Sequence, residues 1–143
     1  MPQIINVSYR DVEAGSYPHK PNSVLIQITD PDTDAPNTYY QFAAKHHFKF
    51  HDVEKNDFAG EFPYVPKVLI SNGDAEKIAN VLADALKNDY NVVVHCHAGL
   101  CRSGAVAEVG VMMGFEDGGR PRIPNLLVKR RLMNCVFGEQ YGT

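Results

Sequence analysis

The chain is short of cysteine, of surplus positive charge and of long apolar runs, and each shortage removes a class of protein. Three cysteines in 143 residues, an odd number, do not make a disulfide framework, which points to a reducing compartment such as the cytoplasm. A formal net charge of −3 gives no general affinity for nucleic acid. No apolar stretch approaches the ~18 residues needed to span a bilayer, and Met1-Pro2-Gln3 opens without the basic region of a secretory leader. With no repeat or low-complexity tract either, one monomeric domain over residues 1–143 is expected, binding neither membrane nor nucleic acid.

Hydrophobic periodicity places the elements. Residues 4–8 and 24–28 read as strands, separated by a turn-rich stretch with Gly15, Pro18, Pro21 and Asn22. Residues 39–47 read as a short helix. Phe48-Lys49-Phe50-His51-Asp52 alternates like an exposed or edge strand. A long irregular segment over 56–72, with Gly60, Pro63 and Pro66, is of the length that often forms a lid or binding loop. Ser71 or Asp74 caps a helix carrying Ile78, Val81, Leu82, Ala85 and Leu86 on one face. Asn91-Val92-Val93-Val94-His95 reads as a strand buried on both faces of a parallel sheet. Ala105, Val106, Val109, Val111 and Met112 give the next helix an apolar surface, and Gly118-Gly119 a turn. Asn125 caps a last helix with Val128, Leu132, Met133 and Val136 inward. Cys135 falls on that apolar face and is expected to be buried. The order strand, strand, helix, strand, helix, strand, helix, helix implies an α/β fold: a central, mostly parallel sheet of four to five strands flanked by helices.

The functional information is concentrated in His95-Cys96-His97-Ala98-Gly99-Leu100-Cys101-Arg102-Ser103-Gly104, a loop between the last strand and the following helix. Unpaired N–H groups and the macrodipole at a helix start favour an anion there. A thiol in that field, normally with a pKa of ~8.5, falls to between about 3.5 and 7.5 beside a helix N-terminus or a cation. Arg102 offers a planar fork for two phosphoryl oxygens, which lysine cannot reproduce. Ser103 can donate its hydroxyl to the Cys96 sulfur. The loop reads as a phosphate cradle with a nucleophile at its base.

The pattern His-Cys-x5-Arg-Ser resembles the signature of the cysteine-dependent tyrosine and dual-specificity phosphatases. The resemblance implies Cys96 as nucleophile, Arg102 as phosphate clamp, Ser103 as leaving-group helper, and the amides of His97, Ala98, Gly99, Leu100, Cys101 and Arg102 as the cradle for phosphate or a vanadate-like anion. It implies that His95 tunes the loop from behind. Rhodanese-type sulfurtransferases are similar in layout but have a shorter loop. Cys96-x4-Cys101-Arg102-Ser103 also resembles the low-molecular-weight tyrosine phosphatases, which carry the loop near the amino terminus; here most of the chain precedes it. The compact length is similar to that of prokaryotic or viral members. Arg122-Ile123-Pro124-Asn125 resembles the region after the signature, where an asparagine steadies the loop; a plain helix cap is the other reading of Asn125. The implied activity is hydrolysis of phosphotyrosine, with phosphoserine and phosphothreonine as further substrates, on phosphoproteins and without a cofactor.

A proton donor for the leaving group is also required. The resemblance implies an aspartate on a loop after an upstream strand, with Asp52, Glu54 and Asp57 as candidates. Asp52 is favoured because it ends the expected 48–52 strand, and Asp57 is the alternative. Cys101 is either loop filling or a resolving thiol for oxidised Cys96. Lys129-Arg130-Arg131 is either the wet face of a helix or a dock for acidic segments. Two other classes fit some residues: a phosphate-binding pseudophosphatase, and a metal site drawn from His95, Cys96, His97 and Cys101 with His46, His47 and His51. Adjacent ligands converge poorly on one ion, and a metal site explains neither Arg102 nor Gly99.

Overall fold

The computed structural model describes residues 1–54 and 67–138. Its elements run β1 (Gln3–Ser8), α1 (Tyr9–Ala14), β2 (Ser23–Thr29), β3 (Ala44–Lys49), α2 (Asn72–Lys87), β4 (Asn91–Cys96), α3 (Arg102–Met113), β5 (Glu116–Asp117) and α4 (Leu126–Phe137). The strands form one sheet in the order β3-β2-β4-β1-β5, and every pairing is parallel. This is the expected α/β architecture, with β4 at its centre.

Strand periodicity divides the core in two. Ile4, Val24, Ile26, Ile28, Val92, Val94 and Cys96 face a large core completed by Ile78 and Leu82 of α2, Val106 and Val109 of α3, and Val128 and Leu132 of α4. Ile5, Val7, Leu25 and Val93 point the other way, where Val12 of α1 and Tyr17 cover them. Helices on both faces explain why β2 and β4 read as continuous apolar runs. Each fully buried valine contributes about 1.5–3 kcal/mol relative to an exposed one, so the central strand is held firmly where its last residue is Cys96.

Several boundaries differ from the sequence reading. The loop does not follow the last strand, because the two-residue β5 comes after α3 and pairs with β1. Residues 39–47 are not a helix: from Ala44 onward they pair with β2, from Val24↔Ala44 to Thr29↔Lys49, with Phe48 buried and Lys45, His47 and Lys49 exposed. Tertiary pairing overrides the helix preference of Ala43-Ala44-Lys45. The strand is an edge strand as expected, but it ends at Lys49, so Asp52 lies three residues beyond it. Helix α1 was hidden in the turn-rich stretch; it is a single six-residue unit with a capping box from Ser8 and Asp11 and a left-handed Gly15. Cys135 is exposed rather than buried, because α4 turns only Leu127, Val128 and Leu132 fully inward. Among the described residues no helix is long and apolar enough to cross a membrane.

Candidate active site

Cys96 ends the central strand at the carboxyl edge of the sheet, where open parallel sheets bind their ligands. The loop that follows is held by its carbonyls. His97 O accepts from Tyr9 N (3.2 Å), Leu100 O from Ile123 N (3.0 Å), and Cys101 O from both Ala105 N (3.0 Å) and Asn125 N (2.9 Å). Gly99 O accepts from the buried Asn6 Nδ2 at 2.8 Å, and the same amide reaches Pro121 O at 3.0 Å. The amides of residues 98–101 donate to no acceptor among the described residues. With the carbonyls of His97, Gly99, Leu100 and Cys101 occupied and the amides of residues 98–101 unpaired at a helix start among the described residues, the loop offers a run of donors suited to an anion.

Gly99 is what lets the loop close. Its φ is +76°, and a Cβ there would lie 2.6 Å from the Val7 carbonyl carbon and 2.7 Å from Ser8 N. Left-handed geometry alone costs a non-glycine residue about 1–2 kcal/mol, and neither backbone neighbour can yield. Gly99→Ala is therefore expected to lower stability by at least about 2 kcal/mol, read by chemical denaturation; a midpoint equal to wild type would contradict this geometry.

The Cys96 sulfur is 3.1 Å from Ser103 Oγ, and Ser103 is fully buried in the first turn of α3. Arg102 is 5% exposed. Its Nη1 donates to Asp30 Oδ1 and to Phe50 O, each at 2.8 Å. Nε is buried without a partner among the described residues. One side of the guanidinium is thus fixed to the protein while the other keeps donors for a ligand. A buried unpaired donor costs about 1–3 kcal/mol, a cost that an oxyanion would relieve.

His95 is fully buried. Its Nε2 pairs with Gln27 Oε1 at 3.2 Å, and its ring meets Tyr9 edge-on at 5.9 Å. The amide oxygen accepts, which puts the proton of the neutral ring on Nε2 and leaves Nδ1 without a hydrogen-bond partner among the described residues. Burial above all, with smaller contributions from His47 and Arg102 against an opposing main-chain interaction at Cys96, lowers its pKa to about 4. The unfolded chain binds this proton near pH 6.5 and the folded chain only near pH 4, so stability is lost as pH falls through that window. The loss is expected to reach about 3 kcal/mol. Denaturation at pH 7 and pH 4.5 reads it, and His95→Gln should flatten the difference; a wild-type stability independent of pH there would contradict a buried neutral imidazole.

Asp52 comes to the rim of the loop. Its Oδ1 accepts from Asn125 Nδ2 at 2.8 Å, and the same amide reaches Val53 O at 3.1 Å. Asn125 Oδ1 in turn caps α4 through Val128 N (3.0 Å), so the side chain serves the helix cap and Asp52, and only the main-chain N–H of Asn125 reaches the loop, at Cys101 O. Glu54 does not face the cradle; its Oε1 accepts from Leu126 N at 3.0 Å. The Cys101 thiol is pushed up by burial, and then by the Asp52 carboxylate beside it and by Cys96, against Arg102. All three cysteines are free. His97 and Ala98 are exposed, while Leu100 and Cys101 are half-buried. The alternative acid Asp57 lies outside the described residues, as does most of the 56–72 segment.

Three residues of the site were not singled out from sequence. Asp30 holds Arg102, Asn6 holds Gly99, and Gln27 holds His95. Their shared signal was available: Asn6 and Gln27 are amides inside otherwise apolar strands, and Asp30 sits one residue past the end of β2 on the sheet edge that carries Cys96. The histidines and cysteines of the metal reading form no group of three possible ligands among the described residues. Lys129 pairs with Glu108 at 3.7 Å and Arg131 donates to Ile70 O, both half-buried, which leaves Arg130 as the exposed member of that basic run. A larger cavity of about 490 Å³ between β3 and α2, lined by Lys45, His46, Asp74 and Lys77 among others, takes in none of these site residues.

No family model matches the chain, and no curated protein does. Among solved structures it is similar to OH1 from the Orf virus, a tyrosine phosphatase that displays distinct structural features and triple substrate specificity. The two are 15% identical over 94% of this chain and 82% of that one, with a TM-score of 0.52. The chain shares the fold of this tyrosine phosphatase.

Proposed function

We propose that the chain is a cysteine-dependent phosphatase of phosphoproteins, a single monomeric catalytic domain working in the cytoplasm. The observation that carries this reading is the loop in which four carbonyls are tied down while the amides of residues 98–101 donate to no acceptor among the described residues. Cys96 Sγ attacks phosphorus in line, forming the S–P bond as the P–O bond to the leaving group breaks. The loop amides and the unpartnered side of Arg102 hold the three phosphoryl oxygens. Asp52 delivers its proton to the departing oxygen. The resulting carboxylate then takes a proton from water, whose oxygen attacks phosphorus; the S–P bond breaks, Ser103 donates a hydrogen bond to the leaving sulfur, and phosphate is released. Phosphotyrosine is the primary substrate, and phosphoserine and phosphothreonine follow by the same chemistry.

The test is hydrolysis of p-nitrophenyl phosphate in the presence of a chelator. Turnover that the chelator does not reduce supports the reading; chelator-sensitive turnover, or none, defeats it. Asp52→Asn is expected to lower kcat/KM, which reports formation of the S–P bond, by about 10²- to 10⁴-fold on phenyl phosphate and far less on p-nitrophenyl phosphate, whose leaving group needs less protonation. If Asp57→Asn gives that split and Asp52→Asn does not, the acid is Asp57.

A further inference from the structure

Beside the cradle lies a cavity of about 350 Å³ walled by Tyr9, Asp30, Thr33 and His97, within the span of about 300–1,000 Å³ common to small-molecule sites. Two walls belong to the cradle's own framework. His97 follows Cys96 directly, with its carbonyl held by Tyr9 N, and Asp30 grips Arg102. A substrate whose phosphoryl group sits on the loop therefore has this cavity next to its remaining atoms.

Among the described residues the lining holds one carboxylate, one hydroxyl, one phenol and one imidazole, and no permanent cation. Although Asp30 Oδ1 meets Arg102 at 2.8 Å, its side chain is 47% exposed. Its charge reaches the cavity and offsets much of the guanidinium's before any ligand arrives. The wall is fixed rather than loose: Thr33 N donates to Asp30 O at 3.0 Å, Thr29 Oγ1 donates to Thr33 O at 3.0 Å, and Tyr9 Oη donates to Asp34 O at 3.1 Å. The exposed Asp32 and Asp34 on the same turn add to the negative potential.

We propose that this cavity is a specificity subsite that accepts a lysine or arginine side chain next to the phosphorylated residue and rejects a second anionic group. Resting on the phosphoprotein phosphatase reading, it narrows the substrate class to phosphotyrosine segments flanked by basic residues, against acidic segments and polyphosphorylated molecules. Tyr9 supplies an aromatic surface for the cation's alkyl stem, and Asp30 supplies the counter-charge.

The experiment measures equilibrium binding of fluorescent phosphotyrosine peptides, flanked by Lys, Ala or Glu, to the turnover-deficient Cys96→Ser protein. The Lys peptide is expected to bind about fivefold more tightly than the Ala peptide, and the Glu peptide about fivefold more weakly, with the spread closing in about 1 M salt. Thr33→Lys, which puts a cation in the cavity, is expected to invert the order, and Asp32→Asn with Asp34→Asn to narrow it. Equal affinities, tighter binding of the Glu peptide, or an order unmoved by Thr33→Lys overturns the subsite. Wild-type turnover of p-nitrophenyl phosphate separates the failures: turnover with unordered peptide binding removes the subsite alone, whereas no turnover and no peptide binding removes the phosphatase reading with it.

Discussion

Cys96→Ser is expected to lower kcat on p-nitrophenyl phosphate by at least about 10³-fold while leaving anion binding nearly intact. A serine hydroxyl stays protonated near neutral pH and is a far weaker nucleophile than sulfur. Among the described residues the side chain within hydrogen-bond distance of Cys96 Sγ is Ser103, whose Oγ, 3.1 Å away, is another hydroxyl and no base. The loop itself does not depend on the sulfur, since its carbonyls are held by Tyr9, Asn6, Ile123 and Asn125. The affinity for orthovanadate or phosphate, measured by competition or calorimetry, should therefore change by no more than a few-fold. Retained turnover in Cys96→Ser would remove sulfur from the chemistry.

Arg102→Lys is expected to lower kcat/KM by about 10²- to 10³-fold, the cost of removing a preorganised donor to a charge-bearing oxygen. Here the charge is kept and the geometry is lost. The guanidinium reaches Asp30 and Phe50 O with Nη1 while Nε has no partner among the described residues; an ammonium is a single point that cannot grip both the protein and a phosphoryl oxygen. Unlike Cys96→Ser, this variant should also weaken vanadate binding, by about tenfold or more. It should lose some stability, because Phe50 O is left in the interior without its donor. Near wild-type kcat/KM in Arg102→Lys would mean that charge alone suffices and that the fork has no role.

What could be read from sequence was whatever lies contiguously along the chain. Cys96, the loop and Arg102 fall in one run, so spacing alone placed the sulfur, the amides and the guanidinium together. The strand before it was legible because burial on both faces leaves an unbroken apolar stretch, and α2 and α4 were legible because their caps, Ser71 and Asn125, precede clear helical periodicity. The supports of the site were less legible. Asp30 reaches Arg102 across 72 residues, Gln27 reaches His95 across 68, and Asn6 reaches Gly99 across 93; nothing local marks such pairs except a polar residue where an apolar one would pack. The edge strand was partly misread for a related reason. Ala44 to Lys49 becomes extended through pairing with β2, and only the alternation of buried Phe48 with exposed Lys45, His47 and Lys49 betrays it. Asp52 reached the loop despite this error, because the chain after β3 continues along the same sheet edge to meet Asn125.

The most direct measurement is acid-quenched trapping of the intermediate on the Asp52→Asn protein mixed with p-nitrophenyl phosphate, followed by mass analysis of its peptides. A good leaving group departs without the acid, whereas hydrolysis of the second ester bond lacks its base, so one phosphoryl group should accumulate on the peptide containing Cys96 and be absent when Cys96 is replaced by serine. Turnover with no phosphorylated Cys96 peptide at any quench time, or with the phosphoryl group on another residue, would contradict attack by this sulfur.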